Sequence, residues 1–150
     1  MTKPLILVVE ENSVMQKLYR HIFERDHGDE FQLRIVASGE DALEFLPEDP
    51  LKKIPVDLLV LDWNLPGIAG IDVLKRVRAQ ESTKALPVIV LTASEIPGDR
   101  LAAFRHGADQ FQLKGFHIDE LLAQIRQLLS RGRPSRGLLS ALLMLFAAYL

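Results

Sequence analysis

Leu61-Asp62-Trp63-Asn64-Leu65-Pro66-Gly67 closes a short apolar run on an acid, and reading that junction as the end of a buried strand decides the fold. The run leading into it, Val56-Asp57-Leu58-Leu59-Val60-Leu61, is aliphatic on both faces, as are Leu5-Ile6-Leu7-Val8-Val9 and Pro87-Val88-Ile89-Val90-Leu91. Runs of this kind are central parallel strands with helices covering both sides. Weaker patterns predict two further strands over 31–36 and 109–113.

Helix-period stretches lie between these runs. Residues 13–25 carry a stripe of Val14, Leu18 and Ile22, joined by Met15 and Tyr19. Ser38-Gly39-Glu40-Asp41 reads as a capping start for a helix bearing Ala42, Leu43, Phe45 and Leu46. Ile71, Val73, Leu74 and Val77 mark a third helix over 70–79, and Leu101, Ala102 and Phe104 a fourth over 98–106. The fifth spans 117–130 through Ile118, Leu121, Leu122, Ile125, Leu128 and Leu129. Strict alternation of five strands and five helices predicts an α/β fold of the (βα)5 type, a doubly wound, five-stranded parallel sheet.

The composition agrees with one domain. At 150 residues, 48% hydrophobic and 25% charged, the chain can bury a full core, which excludes disorder and collagen-like repeats. The absence of cysteine removes disulfides, thiolate metal sites and cysteine nucleophiles. The first apolar run is too short for a signal peptide, so a cytoplasmic protein is expected. The net charge of −2 is unevenly spread, because Arg131, Arg133 and Arg136 stand in a tail without acids and leave an acidic body. Such a body, with no helix-turn-helix pattern after it, excludes a nucleic-acid-binding role.

In a sheet of this type chemistry gathers at the carboxyl ends of the strands. The ends here are Glu10-Glu11, Asp62, Thr92 and Lys114. Three carboxylates, a hydroxyl and an ammonium suit a hard cation with a phosphoryl group beside it: Mg²⁺ takes oxygen ligands and keeps several waters, and cationic charge relieves the repulsion among the acids. The histidines His21, His27, His106 and His117 share no ligand-like spacing and are expected at the surface.

Four stretches, Leu5-Ile6-Leu7-Val8-Val9-Glu10-Glu11-Asn12, Leu61 to Gly67, Leu91-Thr92-Ala93-Ser94 and Gly107-Ala108-Asp109-Gln110-Phe111-Gln112-Leu113-Lys114-Gly115-Phe116, resemble the signatures of response-regulator receiver domains, in order and register over residues 4–130. The stretch around Asp62 is especially similar to single-domain, CheY-like chemotaxis regulators. The resemblance implies a flavodoxin-like sheet and a phosphorylation switch of a two-component relay that lacks an output domain. Asp62 matches the phospho-accepting aspartate, which takes its phosphoryl group from a histidine kinase or phosphotransfer protein. Glu11 matches the direct Mg²⁺ ligand, Glu10 the acid acting through water, and Asn64 the position whose carbonyl completes the metal site. Lys114 matches the lysine that binds a phosphoryl oxygen, Thr92 the switch hydroxyl and Phe111 the aromatic switch. Asn64 and Ser94 match positions that tune phosphoryl lifetime. A downstream protein is expected at the face formed by helix four, strand five and helix five. Like the family's receivers, the chain would catalyse only its own phosphorylation and dephosphorylation.

Three features depart from the pattern. Both acids after strand one are Glu, one methylene longer than the usual Asp. Gly115 replaces the usual proline after a cis bond, so Lys114 is expected either to be aimed differently from a trans bond or to sit beside strain. Ala69 stands where an Asp is common. The double Glu and Gly115 motivate an alternative, a receiver-like adaptor that is not phosphorylated. A phosphatase with an aspartyl nucleophile would need a second Asp two residues after Asp62, where this chain has Asn64. Trp63 is expected to be a half-exposed ring beside the site. Residues 1–130 are read as the receiver and 131–150 as a basic, then apolar tail. As a helix, 137–150 would span roughly 21 Å, short of the roughly 30 Å of a bilayer core, so self-association or partner contact is the expected role.

Overall fold

The computed structural model describes residues 2–49, 51–52, 54–93, 96, 98–115, 117–131 and 145–146. Strand β1 (Leu5–Val9) leads into helix α1 (Ser13–Arg20), followed by β2 (Gln32–Val36), α2 (Gly39–Glu44), β3 (Leu58–Asp62) and α3 (Gly70–Ala79). Then come β4 (Val88–Thr92), α4 (Asp99–Arg105), β5 (Gln110–Leu113) and α5 (Ile118–Arg131). The strands form one parallel sheet in the order β2-β1-β3-β4-β5. The chain leaves β1 toward one edge and returns at β3 to build toward the other. The crevice for chemistry therefore lies between the carboxyl ends of β1 and β3.

The alternation of side chains along each strand divides the core in two. Leu7, Val9, Leu59, Leu61, Val88 and Val90 face Ala42, Leu46, Val73, Leu74, Val77 and Ala103 of α2, α3 and α4 and the residues around them. Ile6, Val8, Leu58, Val60, Ile89 and Leu91 face Tyr19, Ile22 and Phe23 on one side and Leu121, Leu122 and Ile125 of α5 on the other. Each fully buried aliphatic side chain contributes about 1.5–3 kcal/mol relative to exposure, so both faces of the sheet hold the fold.

The structure shifts several expected details. The stripe of α1 that meets the sheet is Met15, partly buried, and Tyr19, continued by Ile22 and Phe23 of the following turn, while Val14 and Leu18 point outward at 71% and 37% exposure. Tyr19 and Phe23 bring more area to the sheet than Val14 and Leu18 could, and they lie on the neighbouring stripe of the same helix. Asn12 caps α1 by accepting from the backbone N–H groups of Val14 and Met15. From His21 to Asp26 the helix widens into π geometry, which brings His21 Nε2 within 3.4 Å of Asp26 Oδ2, five residues on. Ser38 Oγ caps α2 through the Asp41 N–H as expected. Strand β3 begins at Leu58 rather than Val56, although Val56 is buried, and in α4 Leu101 is exposed while Ala103 is buried in the core, with Ala102 and Phe104 packed against it as expected. Ala69 precedes α3 without a side-chain cap.

At the amino ends of the strands Arg78, only 2% exposed, reaches out of α3. Its Nη2 meets Asp109 Oδ2 at 3.1 Å, its Nε donates to Gly107 O at 2.9 Å and its Nη1 to Thr83 O at 3.4 Å. The same Asp109 oxygen accepts from the Val88 N–H at 2.9 Å. One ion pair thereby ties α3, the start of β4 and the turn into β5.

Candidate functional site

Four of the five strands deliver one group each to the crevice. Asp62 is the last residue of β3 and Thr92 the last of β4, while Glu10 and Lys114 immediately follow β1 and β5. Backbone bonds carry the ladders one step further: the Glu10 N–H donates to Val36 O at 2.9 Å, Trp63 N–H to Leu91 O at 2.8 Å and Lys114 N–H to Thr92 O at 2.7 Å. The side chains are thus set by strand register and not by loop conformation.

Lys114 Nζ donates to Glu10 Oε1 at 2.7 Å and to Asp62 Oδ2 at 2.9 Å. The other Asp62 oxygen accepts from the Asn64 N–H at 3.0 Å, so the carboxylate is held at both ends. Glu10, Asp62 and Thr92 are buried, at 1%, 5% and 0% exposure. Burial pushes the Glu10 carboxyl above the usual carboxylate range, the neighbouring Asp62 carboxyl adds to the rise and Lys114 opposes it. Burial pulls on the Lys114 ammonium in the opposite sense, but its bonds to Glu10 and Asp62 together hold it above the ordinary lysine value. Burial, and then the charges of Glu10 and Asp62, likewise raise the Tyr19 phenol on the neighbouring helix.

The Lys114–Gly115 bond is trans, and Lys114 nonetheless reaches both carboxylates. The turn away from the strand falls on Gly115 itself, at φ +93°, a conformation that favours glycine. The expected re-aiming of Lys114 does not occur.

The two glutamates are not equivalent. Glu10 is buried, as is Asp62, whereas Glu11 is exposed. Glu10 Oε2 is buried with no hydrogen-bond partner, an unsatisfied hard oxygen directed into a site whose other donors are also oxygens. Such a donor set suits a hard divalent cation that retains water. Among the described residues no three acids or histidines form a closed metal cluster.

Asn64 Nδ2 donates to Thr92 Oγ1 at 3.2 Å, linking the position two beyond Asp62 to the hydroxyl of β4. Ser94 lies outside the described residues, as do Phe116 and, apart from 131, 145 and 146, the tail 131–150 to which self-association was assigned. Trp63 is not half-exposed: it is 8% exposed and packs edge-on against Phe111, with ring centroids 6.5 Å apart. Phe111 is itself 8% exposed, and the Arg100 guanidinium lies 5.9 Å from its ring centroid. Phe111 also lines a groove of about 730 Å³ between the start of α4, β5 and α5, together with Ile96, Arg100, Leu113, Lys114 and Gln124.

The sequence reading missed the stack of Trp63, Phe111 and Arg100 and one further anchor. Glu40 of α2 accepts from the Ile68 N–H at 3.0 Å and so pins the loop that follows Asp62. This bond, Glu40's own N–H and Ser38 hold its carboxyl below the usual range. A Glu two residues after a Ser helix cap was the available sign. Gly70, at the start of α3, permits the close return of the same loop: a Cβ there would stand 2.6 Å from Asp62 O and 2.8 Å from Trp63 Cα. The histidines gather into no cluster among the described residues.

Comparison with known proteins agrees with this geometry. The family model of the response regulator receiver domain matches residues 6–126. The chain is 36% identical over 131 residues to the phosphate regulon transcriptional regulatory protein PhoB of Rhizobium meliloti, covering 87% of this chain and 54% of that protein. It is 33% identical over 126 residues to the chemotaxis protein CheY-3 of Vibrio cholerae, covering 84% of this chain and 92% of that protein. The chain therefore spans about half the length of the PhoB relative and nearly all of the CheY-3 relative. Among solved structures, the receiver domain of the Francisella response regulator 1452 superposes with a TM-score of 0.72 at 27% identity, covering 86% of this chain and 98% of that one. The receiver domain of the sensor histidine kinase PA1611 from Pseudomonas aeruginosa, solved with magnesium coordinated in its active site cleft, gives 0.71 at 27% identity, covering 86% and 99%. Five parallel strands in this order, an aspartate and a lysine meeting at their carboxyl ends, and a family match over most of the chain lead to one conclusion: this chain belongs to the response regulator receiver domain family of two-component systems.

Proposed function

We propose that the chain is a phosphorylation switch that accepts a phosphoryl group on Asp62 from the phosphohistidine of a sensor kinase or phosphotransfer protein. The observation that carries this reading is the shared grip of Lys114 on Asp62 and Glu10. A carboxylate attacks an anionic phosphoryl group only when charge on both is offset, and phosphoryl transfer depends chiefly on positioning and electrostatics. Lys114 supplies a cation beside the Asp62 oxygen, and the Asn64 N–H fixes the other end of the carboxylate. In the transfer an Asp62 oxygen forms a bond to phosphorus as the P–N bond to the donor imidazole breaks, and the imidazole recovers its proton from solvent.

Glu10, Glu11, Asp62 and the Asn64 carbonyl would hold Mg²⁺, which supplies charge neutralisation at the phosphoryl oxygens when bound. Thr92 donates its hydroxyl to a phosphoryl oxygen once one is present, and Phe111 couples that site to the outer surface. Asn64 and Ser94 tune the lifetime of the aspartyl phosphate. The face of α4, β5 and α5, with its groove, receives a downstream protein. We assign residues 1–130 to the receiver, 131–150 to a tail that serves self-association, and the cytoplasm as the place of action. No helix among the described residues is long and apolar enough to cross a membrane.

The test is incubation with acetyl phosphate and Mg²⁺ followed by intact mass. The expected result is a gain of one phosphoryl unit that disappears in Asp62→Ala; no gain, or an equal gain in the variant, overturns the reading. One observation favours the adaptor as second reading: both acids after β1 are Glu, and Glu11 is exposed and not enclosed with Asp62. The adaptor predicts no mass gain, together with partner binding that is indifferent to acetyl phosphate.

A further inference from the structure

Asn64 makes two of the bonds that shape the site, and it stands in a loop. Its N–H donates to Asp62 Oδ1 at 3.0 Å and its Nδ2 to Thr92 Oγ1 at 3.2 Å. Further along the same loop the Ile68 N–H donates to Glu40 Oε1 at 3.0 Å. Among the described residues this is the one hydrogen bond that joins residues 65–68 to another element. The segment between the two anchors is stiff, because Pro66 fixes its own φ and restricts Leu65 before it. Gly67 follows at φ +70°, and a Cβ on it would stand 2.6 Å from Glu40 Oε1, so the turn is seated directly against the carboxylate. Gly39, the first residue of α2, lets the same loop approach the helix: a Cβ there would stand 3.3 Å from Ile68 O and 2.6 Å from Val73 Cγ2. Glu40's own N–H and the Ser38 side chain also bond the carboxylate, which fixes its direction.

We propose that Glu40 is a positioning residue for the Asp62 site: by holding the Ile68 N–H, its carboxylate sets the loop that presents Asn64 to Asp62 and Thr92. Glu40 bonds the loop and not the reacting atoms, and it acts through Ile68 and the stiff turn before it. What the loop takes from Glu40 is chiefly reach. A glutamine also ends in an acceptor oxygen at this distance, whereas an aspartate keeps the charge and is one methylene too short. The inference rests on the reading of Asp62 as the phospho-acceptor and adds α2 to the parts that hold its site.

The experiment measures solvent exchange of the backbone amides in the isotope-labelled full chain without divalent metal, since a protected amide exchanges when its local structure opens. Glu40→Asp and Glu40→Ala are expected to speed exchange at Ile68 and to speed it about five- to tenfold at Asn64. Glu40→Gln, which keeps the acceptor, should speed Asn64 about twofold at most. Thr83→Ala is the control for a general loss of stability, because the Thr83 hydroxyl donates to Val77 O at 2.6 Å beyond the far end of α3. It should leave Asn64 as in the parent. An Asn64 rate that does not move in Glu40→Asp, that moves as far in Glu40→Gln, or that moves as far in Thr83→Ala overturns the proposal. If Glu40→Ala does not fold, the aspartate and glutamine variants decide between them.

The second readout is the rate of mass gain with acetyl phosphate and Mg²⁺, which Glu40→Asp should slow by a factor similar to that seen at Asn64. Mass gain at the parent's rate in this variant overturns the positioning role. A chain that never gains mass sinks the proposed function instead, and the exchange rates, which need neither phosphoryl donor nor metal, still decide whether Glu40 sets Asn64.

Discussion

Two buried clusters of charge sit at opposite ends of the same sheet and are built differently. At the amino ends, Arg78 and Asp109 form one cation and one anion, and the groups around them are spoken for: three carbonyl or carboxylate acceptors for the guanidinium, and the Val88 N–H on the aspartate. At the carboxyl ends, one ammonium serves two carboxylates, and one oxygen of Glu10 has no partner. The closed cluster is a brace. The open one stores repulsion that a cation or a phosphoryl chemistry can use. Within one molecule, completeness and not burial separates the brace from the site proposed for phosphoryl transfer.

The most forceful way to break this comparison is to cut the brace. Asp109→Ala leaves Arg78 charged and enclosed, and the expected cost is about 3–5 kcal/mol in urea unfolding. A loss below about 1 kcal/mol would show that Arg78 finds water and that the cluster is not closed. The matching cut at the open end should act with the opposite sign. Asp62→Asn removes one of two negative charges that share Lys114, and stability without divalent metal is expected to rise by on the order of 1 kcal/mol at neutral pH. A loss as large as that of Asp109→Ala would mean that both clusters are braces.

The exposed pair of Arg126 and Glu30 supplies a third, smaller reference. Arg126 Nε and Nη2 donate to both Glu30 oxygens, at 2.6 and 2.9 Å for the shorter contacts, yet the two side chains are 49% and 37% exposed. The hydrogen bonds from Arg126 are the main reason the Glu30 carboxyl lies below its usual range. A depressed carboxyl contributes stability above its unfolded pKa and loses it as pH falls through the folded value. Glu30→Gln should therefore cost about 0.2–1 kcal/mol near neutrality, less at high salt, and nothing in acid once Glu30 is protonated. Melting curves of the two proteins across pH would check this, and a difference that persists in acid overturns it.

What could be read in the sequence follows from the range of the forces involved. Strands β1, β3 and β4 announce themselves because a doubly covered strand must be apolar on both faces, and the site groups follow because each stands at a strand end. The same local logic could not find the brace. Arg78 looks like an ordinary charged residue at the end of a helix, and its partner lies 31 positions away. Nor does periodicity choose between Val14 with Leu18 and Met15 with Tyr19, since both pairs are spaced by one turn; the shape of the sheet surface chooses. The asymmetry between Glu10 and Glu11 was hidden for a similar reason, because the chain turns between adjacent residues and buries one while exposing the other. The sequence leaves Trp63 half-exposed because its enclosure depends on Phe111, which comes from a different strand.

Gly70 carries a consequence for how such a chain can change over generations. A side chain that obstructs a neighbour can be accommodated when the neighbour shrinks, so most crowded positions drift in pairs. What a Cβ at position 70 would strike is the carbonyl oxygen of residue 62 and the main chain of residue 63, and main chain has no smaller allele. A descendant could discard the aspartate, the lysine and the whole relay and remain folded. It would still inherit this one hydrogen.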